Sequence, residues 1–538
     1  MRLLALAAIM ALLVGCTKVE TATATGRHPW TQPGVLRIAD IADPDKFNPL
    51  LSTMDLVEDL SSLVLSYLVI ADDHGKLIGD LASEVPTLKN GGISADGTTI
   101  TYHLHTGVLW HDGVPFSSKD VKFTWEAVMN SRNNVFHREG YEEVASIDTP
   151  DPATVVVHLK RRFPPFVSEF FTTLQEGSKG ILPEHILAKL PNINQADYNS
   201  HPIGTGPFKF VSWDRGRSMS FVRNLKYFKG VPKLERIEFT VIPDDNTILQ
   251  QIQTHDVDMV VSVASALYQR YKALPGVKTK LYPWNAMSVM PINNSRPGLR
   301  HLAVRQALAM AIDYESIINK ITHGVGTLAH DIVPTGSVGY TENAPYRYDP
   351  KAAAKLLDEH GWKPGPDGIR QKNGERLDFT LTLAAGGATA RALAVPMQQW
   401  LHAIGMNLTI KAVPYNVIFS YEGPVQTGRF DFTSYGYTMP YDPDNYAYLG
   451  CDQFPDKGEN VFRFCDPQID AGERAGLLSD DPEKRDAIYK PVERRIHALV
   501  PYIPLYIARR PTAFNDDLKN YSAAPGIAPW WNAWQWSI

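Results

Sequence analysis

The sequence predicts an α/β protein with two lobes. The chain has 538 residues, of which 44% are hydrophobic, and a single hydrophobic core stops growing at about 250–300 residues. Short runs typical of β-strands are mixed with segments of helical character, which is the pattern of an α/β fold. The length therefore predicts two cores, and the mixture of patterns predicts strands and helices in both.

Several elements can be assigned from their local patterns. Three runs have the alternating or continuously apolar composition of strands: residues 99–104, 154–159 and 236–242. Three segments are predicted to be helical: residues 118–129, 303–312 and 351–360. The last of these has the clearest ends, because Asp349 suits an N-cap, Pro350 the first helical position and Gly361 the C-terminal cap.

The first sixteen residues have the pattern of an export signal that ends in a lipid-attachment cysteine. Arg2 precedes an apolar run over residues 3–14, which is shorter than the roughly 20 residues that a membrane-spanning helix needs. Leu13-Val14-Gly15-Cys16 resembles the bacterial lipobox, whose cysteine takes a diacylglycerol before cleavage. We therefore expect Cys16 to be acylated and to anchor the protein to a membrane. An uncleaved anchor with an incidental cysteine is the alternative.

The remainder of the chain predicts a soluble body outside the cytoplasm, on the periplasmic or extracellular side of a bacterial cell envelope. Charge, Pro or Gly interrupts every later apolar run before it reaches the length of a membrane span. The formal charge of −5 becomes −6 once Arg2 is removed with the signal. Such a small negative charge argues against nucleic acid as a partner, because nucleic acid favours a strongly basic face.

Two cysteines remain once Cys16 is assigned to lipid. Cys451 and Cys465 are 14 positions apart (465 minus 451) in a segment rich in Gly, Asp and Pro. An even pair in an oxidising compartment favours a disulfide. A metal site is the weaker interpretation, because neither His nor a Cys-x-x-Cys motif accompanies the pair. We expect a disulfide, no metal and no other cofactor.

Two turns have the residues that shape a backbone. One contains His111, Asp112 and Gly113, and the other is Gly204-Thr205-Gly206-Pro207. Glycine and proline supply the backbone angles that such turns require, and the second turn lacks the Lys-Ser/Thr of a phosphate-binding loop. We interpret both turns as fold-shaping rather than ligand-contacting, and His111 as a turn residue.

A series of motifs resembles the family 5 extracellular solute-binding proteins, the oligopeptide, dipeptide and nickel receptors of ABC importers. Their order over residues 35–510 is more specific than any single motif. In chain order they are residues 102–108, 110–121 (with Trp-His-Asp-Gly-Val-Pro-Phe), 202–208, 224–228, 242–244, 256–258, 304–308, 352–362 and 442–445 (Asp-Pro-Asp-Asn).

The resemblance implies a bilobal periplasmic-binding-protein fold of type II, with an extra inserted subdomain and a hinge between the lobes. Such lobes close over a solute and present it to the permease subunits of an ABC importer in the inner membrane. We expect the protein to act as a monomer. The expected organisation is a lipoprotein signal peptide at 1–15, a flexible tether at 16–33, lobe 1 at 34–55, 183–283 and 503–538, an inserted subdomain at 56–182, and lobe 2 at 284–502.

No catalytic motif contradicts a binding function. The chain has no Gly-x-Ser-x-Gly, His-Glu-x-x-His, Walker, Gly-x-Gly-x-x-Gly or Cys-x-x-Cys motif, and its 16 His are scattered. We therefore expect a receptor rather than an enzyme. An extracytoplasmic hydrolase or a folding helper is the alternative from a different class.

The resemblance places two segments in the solute cleft. The loop after the first strand, with Ile41, Ala42 and Asp43, offers backbone groups to an extended peptide. The second segment contributes the candidate ligand-binding residues Tyr435, Tyr437, Thr438, Asp442 and Asn445. Tyrosine suits such a cleft because it combines apolar area with a hydrogen-bonding tip. Alternatively, these tyrosines only pack the face of the lobe.

The chain departs from its peptide-binding relatives at their charged anchors. Those relatives pair the ligand's α-ammonium with an Asp that precedes the Asp-Pro-Asp-Asn-like segment, where this chain has Met439-Pro440-Tyr441. Dipeptide receptors carry an Arg for the ligand carboxylate where this chain has Ala384-Ala385-Gly386-Gly387, and the nearby Arg391 has the spacing of a surface residue. Asp442 is either a replacement for the missing Asp or a turn residue.

The loss of the anchor has a consequence for the solute. A free ammonium would lose a charge-assisted hydrogen bond of roughly 1.5–3 kcal/mol, so we expect weak discrimination between free and N-blocked peptides. A peptide remains the leading solute, and a sugar, an opine or a metal chelate is the alternative.

Overall fold

The computed structural model describes residues 26–136, 138, 140–173, 179–329, 333, 339–341, 343, 346–438, 444–455, 457–478, 482–524 and 528–538. The strands in these residues are β1 Val35–Asp40, β2 Val69–Ala71, β3 Leu77–Gly79, β4 Thr99–His103, β5 Val144–Asp151, β6 Thr154–Leu159, β7 Phe208–Asp214, β8 Ser218–Arg223, β9 Arg236–Val241, β10 Met259–Val260, β11 Val277–Pro291, β12 Lys363–Pro364, β13 Arg370–Lys372, β14 Glu375–Arg376, β15 Asp378–Ala384, β16 Asn407–Val413, β17 Phe432–Thr433, β18 Tyr435–Thr438 and β19 Tyr502–Asn515.

The helices of the same residues range from a single turn to five turns. They are α1 Asp55–Val64, α2 Ser118–Met129, α3 Phe166–Glu169, α4 Glu184–Leu187, α5 Asp245–Gln253, α6 Tyr268–Lys272, α7 Leu302–Ala311, α8 Tyr314–Ser316, α9 Pro350–Glu359, α10 Ala388–His402, α11 Tyr415–Ile418, α12 Tyr446–Leu449, α13 Pro467–Gly476 and α14 Pro482–Leu499. A π-helical turn over Ile317–Ile321 continues α8, and 3₁₀ turns occur at Pro49–Leu51, Tyr141–Glu143, Asp197–Asn199, Ser265–Leu267 and Ala533–Gln535.

The largest sheet in the described residues has the strand order β18-β11-β19-β10-β1-β9-β8-β7. β1 is parallel to both of its neighbours, with Ile38 opposite Phe239 of β9 and Met259 of β10. All the other ladders of this sheet are antiparallel. Ile38 is fully buried, as expected for a strand inside a sheet that is covered on both faces.

Two long strands connect the halves of the molecule. β11 and β19 pair from Val277 opposite Asn515 to Pro291 opposite Tyr502. One end of this pair adjoins β10, and the other end adjoins β18. Its register is interrupted between Pro283 and Ala286. The β11–β19 ribbon is therefore the structural element that forms the hinge.

Separate hydrophobic cores lie on the two sides of this interruption. One core draws mainly on residues 36–261 and 514–538, with a smaller cluster packed around α5. The other core draws on residues 286–432 and 500–508, with a neighbouring cluster around Tyr437. We call the parts built on these cores lobe 1 and lobe 2. The α/β bilobal fold predicted from length, pattern and resemblance is confirmed.

Smaller sheets complete the lobes. The β2–β3 hairpin and the three-stranded sheet β4-β6-β5 lie within residues 56–182 and share the core of lobe 1. The sheets β12-β13-β14 and β16-β15-β17 belong to lobe 2. In β16-β15-β17 all strands are parallel, and helix α10 crosses between β15 and β16. The numerical boundaries given above for the lobes and the inserted subdomain stay a prediction.

The three strands and three helices predicted from local sequence patterns begin and end within one or two residues of the observed elements. The predicted strands correspond to β4, β6 and β9, and the predicted helices to α2, α7 and α9. Ser117 caps α2 in a capping box with Asp120. The Asp349 carboxylate accepts a hydrogen bond from the backbone N–H of Ala352 at 2.9 Å, and Gly361 adopts a positive φ of 83°. These caps work because they satisfy backbone groups that a helix end leaves without partners.

The predicted disulfide joins Cys451 to Cys465 in lobe 2. The lipidation site Cys16 and the predicted signal peptide lie outside the described residues. Within the described part of the chain, no helix combines the length and the apolar character needed to cross a membrane.

Candidate ligand-binding cleft

A cavity of about 290 Å³ lies between the two lobes. We call it the central cavity. The lobe 1 wall includes the end of β1, the start of α1 and the start of α5, and the lobe 2 wall includes the start of α10, Tyr415 and Gly436. Residues 508–511 of the hinge ribbon also line it. The central cavity is therefore placed where relative movement of the lobes would open or close it.

The lobes touch each other beside the central cavity. The Asp245 carboxylate of lobe 1 accepts a hydrogen bond from the backbone N–H of Ala388 in lobe 2 at 2.7 Å. One turn further along α10, Arg391 forms an ion pair with Asp244 at 3.2 Å. Tyr415 of lobe 2 packs against a small apolar cluster of lobe 1. The two lobes are therefore in direct contact beside the central cavity, as in a closed form.

Two further cavities continue the central one. The aromatic cavity, of about 120 Å³, shares Asp55, Tyr415 and Gly436 with the central cavity. The polar cavity, of about 530 Å³, shares Gln426 with the aromatic cavity and is lined by residues 131–138 of lobe 1 and by residues between 421 and 463 of lobe 2. The shared residues place the three cavities side by side along the boundary between the lobes, and we call this row of cavities the trough.

Carboxylates dominate the charge of the central cavity. The described wall contains Asp40, Asp55, Asp59 and Asp245, against the two guanidinium groups of Arg509 and Arg510. Arg510 is 3% exposed and donates hydrogen bonds to both carboxylate oxygens of Asp59, at 3.3 and 3.4 Å. Two described cations therefore face four carboxylates.

Burial raises the pKa of all four of these carboxylates. It raises the pKa of Asp40 to about 7, although the backbone N–H of Ala42 donates to that carboxylate at 3.0 Å. It raises the pKa of Asp55 to about 6, with the positive charge of Arg510 acting in the opposite direction. Both shifts arise because a carboxylate that leaves water without a paired cation is stabilised in its protonated form.

The candidates in the first predicted segment separate into two groups. Ile41 and Ala42 line the central cavity. Asp43 does not line it, because its carboxylate accepts hydrogen bonds from the Trp213 indole N–H and the Gly216 backbone N–H, both at 2.9 Å. The structure thus places Asp43 at the turn of the β7–β8 hairpin, where it fixes the loop that carries Ile41 and Ala42.

The candidates in the second segment also differ in position. Tyr435 and Tyr437 line the aromatic cavity. The Tyr437 hydroxyl donates to the Asn445 side-chain oxygen at 3.1 Å, and Asn445 is fully buried. Thr438 is the last residue of β18. Asp442 and the Met439-Pro440-Tyr441 gap lie outside the described residues, so the role of Asp442 stays a prediction.

The segment that lacks the Arg of dipeptide receptors makes a close contact between the lobes. Gly386 has a φ of +91°, and a Cβ on it would lie 2.5 Å from the carbonyl oxygen of Pro243 in lobe 1. Glycine is required here both for the backbone angle and for the close approach. Gly387 and the first residues of α10 then line the central cavity.

Two site residues were missed in the sequence. Asp55 is the first residue of α1, and Tyr415 is the first residue of α11. An acid in the first turn of a helix is common because it interacts favourably with the helix dipole, so Asp55 gave no separate signal. Nothing in the sequence around Tyr415 indicates that it meets the other lobe.

The two predicted turns lie beside each other in lobe 1, away from the described cavities. The backbone N–H of Gly204 donates to Nδ1 of His111 at 3.3 Å, and Nε2 of His111 lies 3.0 Å from the Gly206 carbonyl oxygen. A Cβ on Gly204 would lie 1.8 Å from the carbonyl oxygen of Val64. Burial lowers the pKa of His111 to about 4, so the imidazole is neutral and joins the two turns.

One group of possible metal ligands has a structural explanation. His28, Asp516 and Asp517 bring ligand atoms within 4.8 Å of one another. The His28 ring lies 2.6 Å from the Asp516 carboxylate, and Asp517 accepts from the backbone N–H of His28 and from the Thr31 hydroxyl. These bonds fasten the start of the described chain to the segment that follows β19.

Comparisons with known proteins agree with this architecture. The oligopeptide-binding protein AppA of Bacillus subtilis (strain 168) is 27% identical over 552 aligned positions, which cover 99% of this chain and 98% of that protein. The crystal structure of NikZ from Campylobacter jejuni in complex with Ni(L-His) has a TM-score of 0.84 at 28% identity and covers 94% of this chain and 100% of that one. The structure of AppA from Bacillus subtilis in complex with a nonapeptide has a TM-score of 0.86 at 26% identity and covers 94% of this chain and 99% of that one.

The family assignment follows from the sequence itself. Residues 76–457 match the family described as bacterial extracellular solute-binding proteins, family 5, middle region. That match extends over more than half of the chain and confirms the resemblance predicted from the motifs. The chain therefore belongs to the family 5 bacterial extracellular solute-binding proteins, and it is a solute-binding receptor of the kind that serves ABC importers.

Proposed function

We propose that this protein is a lipid-anchored receptor that captures a peptide in the cleft between its lobes and delivers it to the permease of an ABC importer. The observation that carries the proposal is the trough formed by the central, aromatic and polar cavities. Ligand pockets for small molecules typically measure about 300–1,000 Å³. A row of adjoining cavities suits an extended chain better than one compact solute.

The walls of the trough support a peptide in two further ways. The loop at Ile41 and Ala42 and the residues 262–265 line the central cavity, and main-chain groups in such loops recognise a peptide backbone regardless of its sequence. The aromatic cavity offers tyrosine surfaces that can accept apolar side chains. AppA, whose solved complex contains a nonapeptide, shares the fold over nearly the whole chain.

The proposed organisation keeps the predicted boundaries. Lobe 1 comprises 34–55, 183–283 and 503–538, with the inserted subdomain at 56–182, and lobe 2 comprises 284–502. The interruption of the β11–β19 register between Pro283 and Ala286 supports the first hinge crossing. The change of core between Tyr506, packed in lobe 2, and Phe514, packed in lobe 1, supports the second.

Affinity capture from defined mixtures tests the identity of the solute. The mature protein, purified after refolding from denaturant to remove bound solute, is incubated with one mixture of peptides of two to nine residues and one mixture of sugars, opines and nickel chelates. Mass spectrometry then identifies what is retained. Retention of peptides, with saturable heat on titration of the retained species, supports the proposal. Retention only of a sugar, an opine or a chelate would replace the peptide with that solute.

The anchor is tested separately. In the unaltered protein we expect Cys16 to carry lipid and the mature protein to fractionate with membranes. Cys16→Ser should abolish lipidation and leave the signal peptide attached, because the lipoprotein peptidase acts on the acylated cysteine. Mass spectrometry of the N-terminal peptide measures both the lipidation of Cys16 and the cleavage of the signal peptide. An unmodified mature N-terminus in membrane-free protein would refute the anchor while leaving the receptor function intact.

A further inference from the structure

We propose that the aromatic cavity is a subsite for a positively charged nitrogen group of the solute, and that Asp55 is the carboxylate that recognises it. The inference rests on the proposed function, since it names the chemistry of a solute that enters the same cleft. The cavities between the lobes indicate where a solute binds, and the composition of their walls indicates which charge it carries.

The wall of the aromatic cavity has the composition of a cation-binding site. Its described lining contains two carboxylates, Asp55 and Glu459, and no lysine, arginine or histidine. Five aromatic side chains surround the same space: Tyr415, Phe419, Tyr435, Tyr437 and Tyr448. The faces of aromatic rings carry negative partial charge, and a cation is attracted to them most strongly when it has lost its water.

The rings are arranged so that they hold one another in place. Phe419 and Tyr435 lie with centroids 5.4 Å apart and planes at 88°, and Tyr437 and Tyr448 lie 4.8 Å apart with planes at 78°. Tyr415 packs on Phe419 at 5.2 Å. Edge-to-face packing of this kind stabilises aromatic clusters. The aromatic cavity is therefore a formed space with fixed walls.

Asp55 is the carboxylate available to a ligand. It lines both the aromatic cavity and the central cavity. Within the described residues its carboxylate forms no hydrogen bond or ion pair; the charge of Arg510 acts on it, but the Arg510 guanidinium is hydrogen-bonded to Asp59. Glu459 differs, because it is buried and takes part in further interactions, among them one with the charge of Lys179.

A purely structural role explains fewer features of Asp55 than a ligand-binding role does. As the first residue of α1 it stabilises the helix dipole, at about 0.3–1 kcal/mol, and this would explain an acid at that position on an exposed helix. It does not explain why the acid lines a cavity whose other described walls include five aromatic side chains and no cation. Burial of an unpaired carboxylate is costly, and a cationic group of the solute would remove that cost.

The size of the cavity fits a head group rather than a whole solute. A volume of about 120 Å³ corresponds to the space of about four water molecules at roughly 30 Å³ each. A primary ammonium or a guanidinium fits in this space, with the rest of the solute extending into the central or polar cavity. In a peptide the cation has two sources, the N-terminal α-ammonium or the side chain of Lys or Arg.

The proposed anchor differs in origin from that of the peptide-binding relatives. Their ammonium partner precedes the Asp-Pro-Asp-Asn-like segment of lobe 2, where this chain has Met439-Pro440-Tyr441. Asp55 instead belongs to lobe 1 and faces the tyrosines of lobe 2 across the cleft. The missing Asp of lobe 2 alone predicts weak discrimination between free and blocked peptides. With Asp55 of lobe 1 as the anchor, we expect a preference for a cationic solute instead.

Calorimetry with four tripeptides and two small cations tests the inference. The peptides are Ala-Ala-Ala, its N-acetyl form, N-acetyl-Ala-Lys-Ala and N-acetyl-Ala-norleucine-Ala, the last being the neutral counterpart of the lysine peptide. The small cations are arginine and choline. Each is titrated into the mature protein, into Asp55→Asn and into the control Glu84→Gln, which removes the same charge from an exposed residue of lobe 1 that lines none of the three cavities.

The expected result is a preference for the cationic member of one pair by about 10- to 100-fold. Preference for free over acetylated tri-alanine identifies the α-ammonium as the cation, and preference for the lysine over the norleucine peptide identifies a side chain. Asp55→Asn should abolish the preference and Glu84→Gln should retain it. If Asp55→Asn fails to fold, the peptide pairs on the unaltered protein test the cation preference, and Asp55→Ser tests whether Asp55 is its source.

Failure of this inference can be distinguished from failure of the proposed function. If all four peptides bind equally and Asp55→Asn changes nothing, the cation subsite is refuted and the peptide receptor stands. If no peptide binds but arginine or choline does, and Asp55→Asn abolishes that binding, the subsite stands and the peptide is refuted. If neither the peptides nor the small cations bind, the cation subsite is refuted.

Discussion

Gly386 provides a direct test of lobe closure. It belongs to the loop between β15 and α10 in lobe 2, and a Cβ at this position would lie 2.5 Å from the Pro243 carbonyl oxygen in lobe 1. No side chain accommodates a contact of that length with backbone. Gly386→Ala should therefore oppose closure, because the clash exists only when the two lobes meet.

The magnitude has two parts, and only one of them depends on closure. The φ of +91° lies in the region that costs a residue with a Cβ about 1–2 kcal/mol, and this cost applies equally to open and closed lobes. Overpacking typically costs a further 1–3 kcal/mol, here only in the closed form. A bias of that size against the binding-competent state weakens the apparent affinity by about 5- to 150-fold.

Gly374→Ala is the matched control. Gly374, in the β13–β14 turn of lobe 2, has a φ of +81°, and a Cβ on it would meet nothing within 4 Å, so its substitution adds the cost of the backbone angle without a clash and should leave the affinity within about twofold. The assay is titration calorimetry with the solute identified by capture, together with small-angle scattering with and without that solute. Equal affinities for the two variants, with the same decrease in radius of gyration on binding, would show that the lobes do not meet at Gly386.

Three further predictions concern stability. Reduction of the Cys451–Cys465 disulfide should lower the stability of lobe 2 by about 3 kcal/mol, measured as a lower melting temperature. The reductant should leave the melting temperature of the double Cys→Ser variant unchanged. Burial lowers the pKa of His111 to about 4, so between pH 6.5 and 4 the unfolded chain binds a proton that the folded protein does not. Stability to urea should therefore decrease as the pH is lowered from 6.5 to 4, and decrease less in His111→Gln. Arg510→Met should destabilise by about 3–5 kcal/mol, because Asp59 then stays buried without its partner; a loss under 1 kcal/mol would contradict this.

Local structure could be predicted wherever a few neighbouring residues determine it. The N-cap Asp349, the first-turn Pro350 and the C-terminal Gly361 fix the ends of α9 through bonds within a few positions of each other. Ser117 and Asp120 do the same for the start of α2. The fold class was predicted in the same way, by adding many such elements to a length that requires two cores.

The cleft could be predicted only in part, because its walls come together from distant positions in the chain. The resemblance led correctly to the loops that carry Ile41 and Tyr435, which line cavities. It did not distinguish residues that line the cleft from those that hold its loops, since Asp43 binds Trp213 and Gly216. Such pairings depend on tertiary contacts that leave no local pattern.

The charge of the cleft gives solute binding and lobe closure a common physical basis. Asp40 and Asp55 lie between the closed lobes, and burial there raises their pKa values to about 7 and 6, which is the cost of holding these charges away from bulk water. If Asp55 binds a cationic group as proposed, that group removes part of this cost only when the tyrosines of lobe 2 enclose it. A neutral solute of the same shape would leave the cost in place. The solute's positive charge would then favour the closed form itself, in addition to any contribution to affinity from the contacts along the trough.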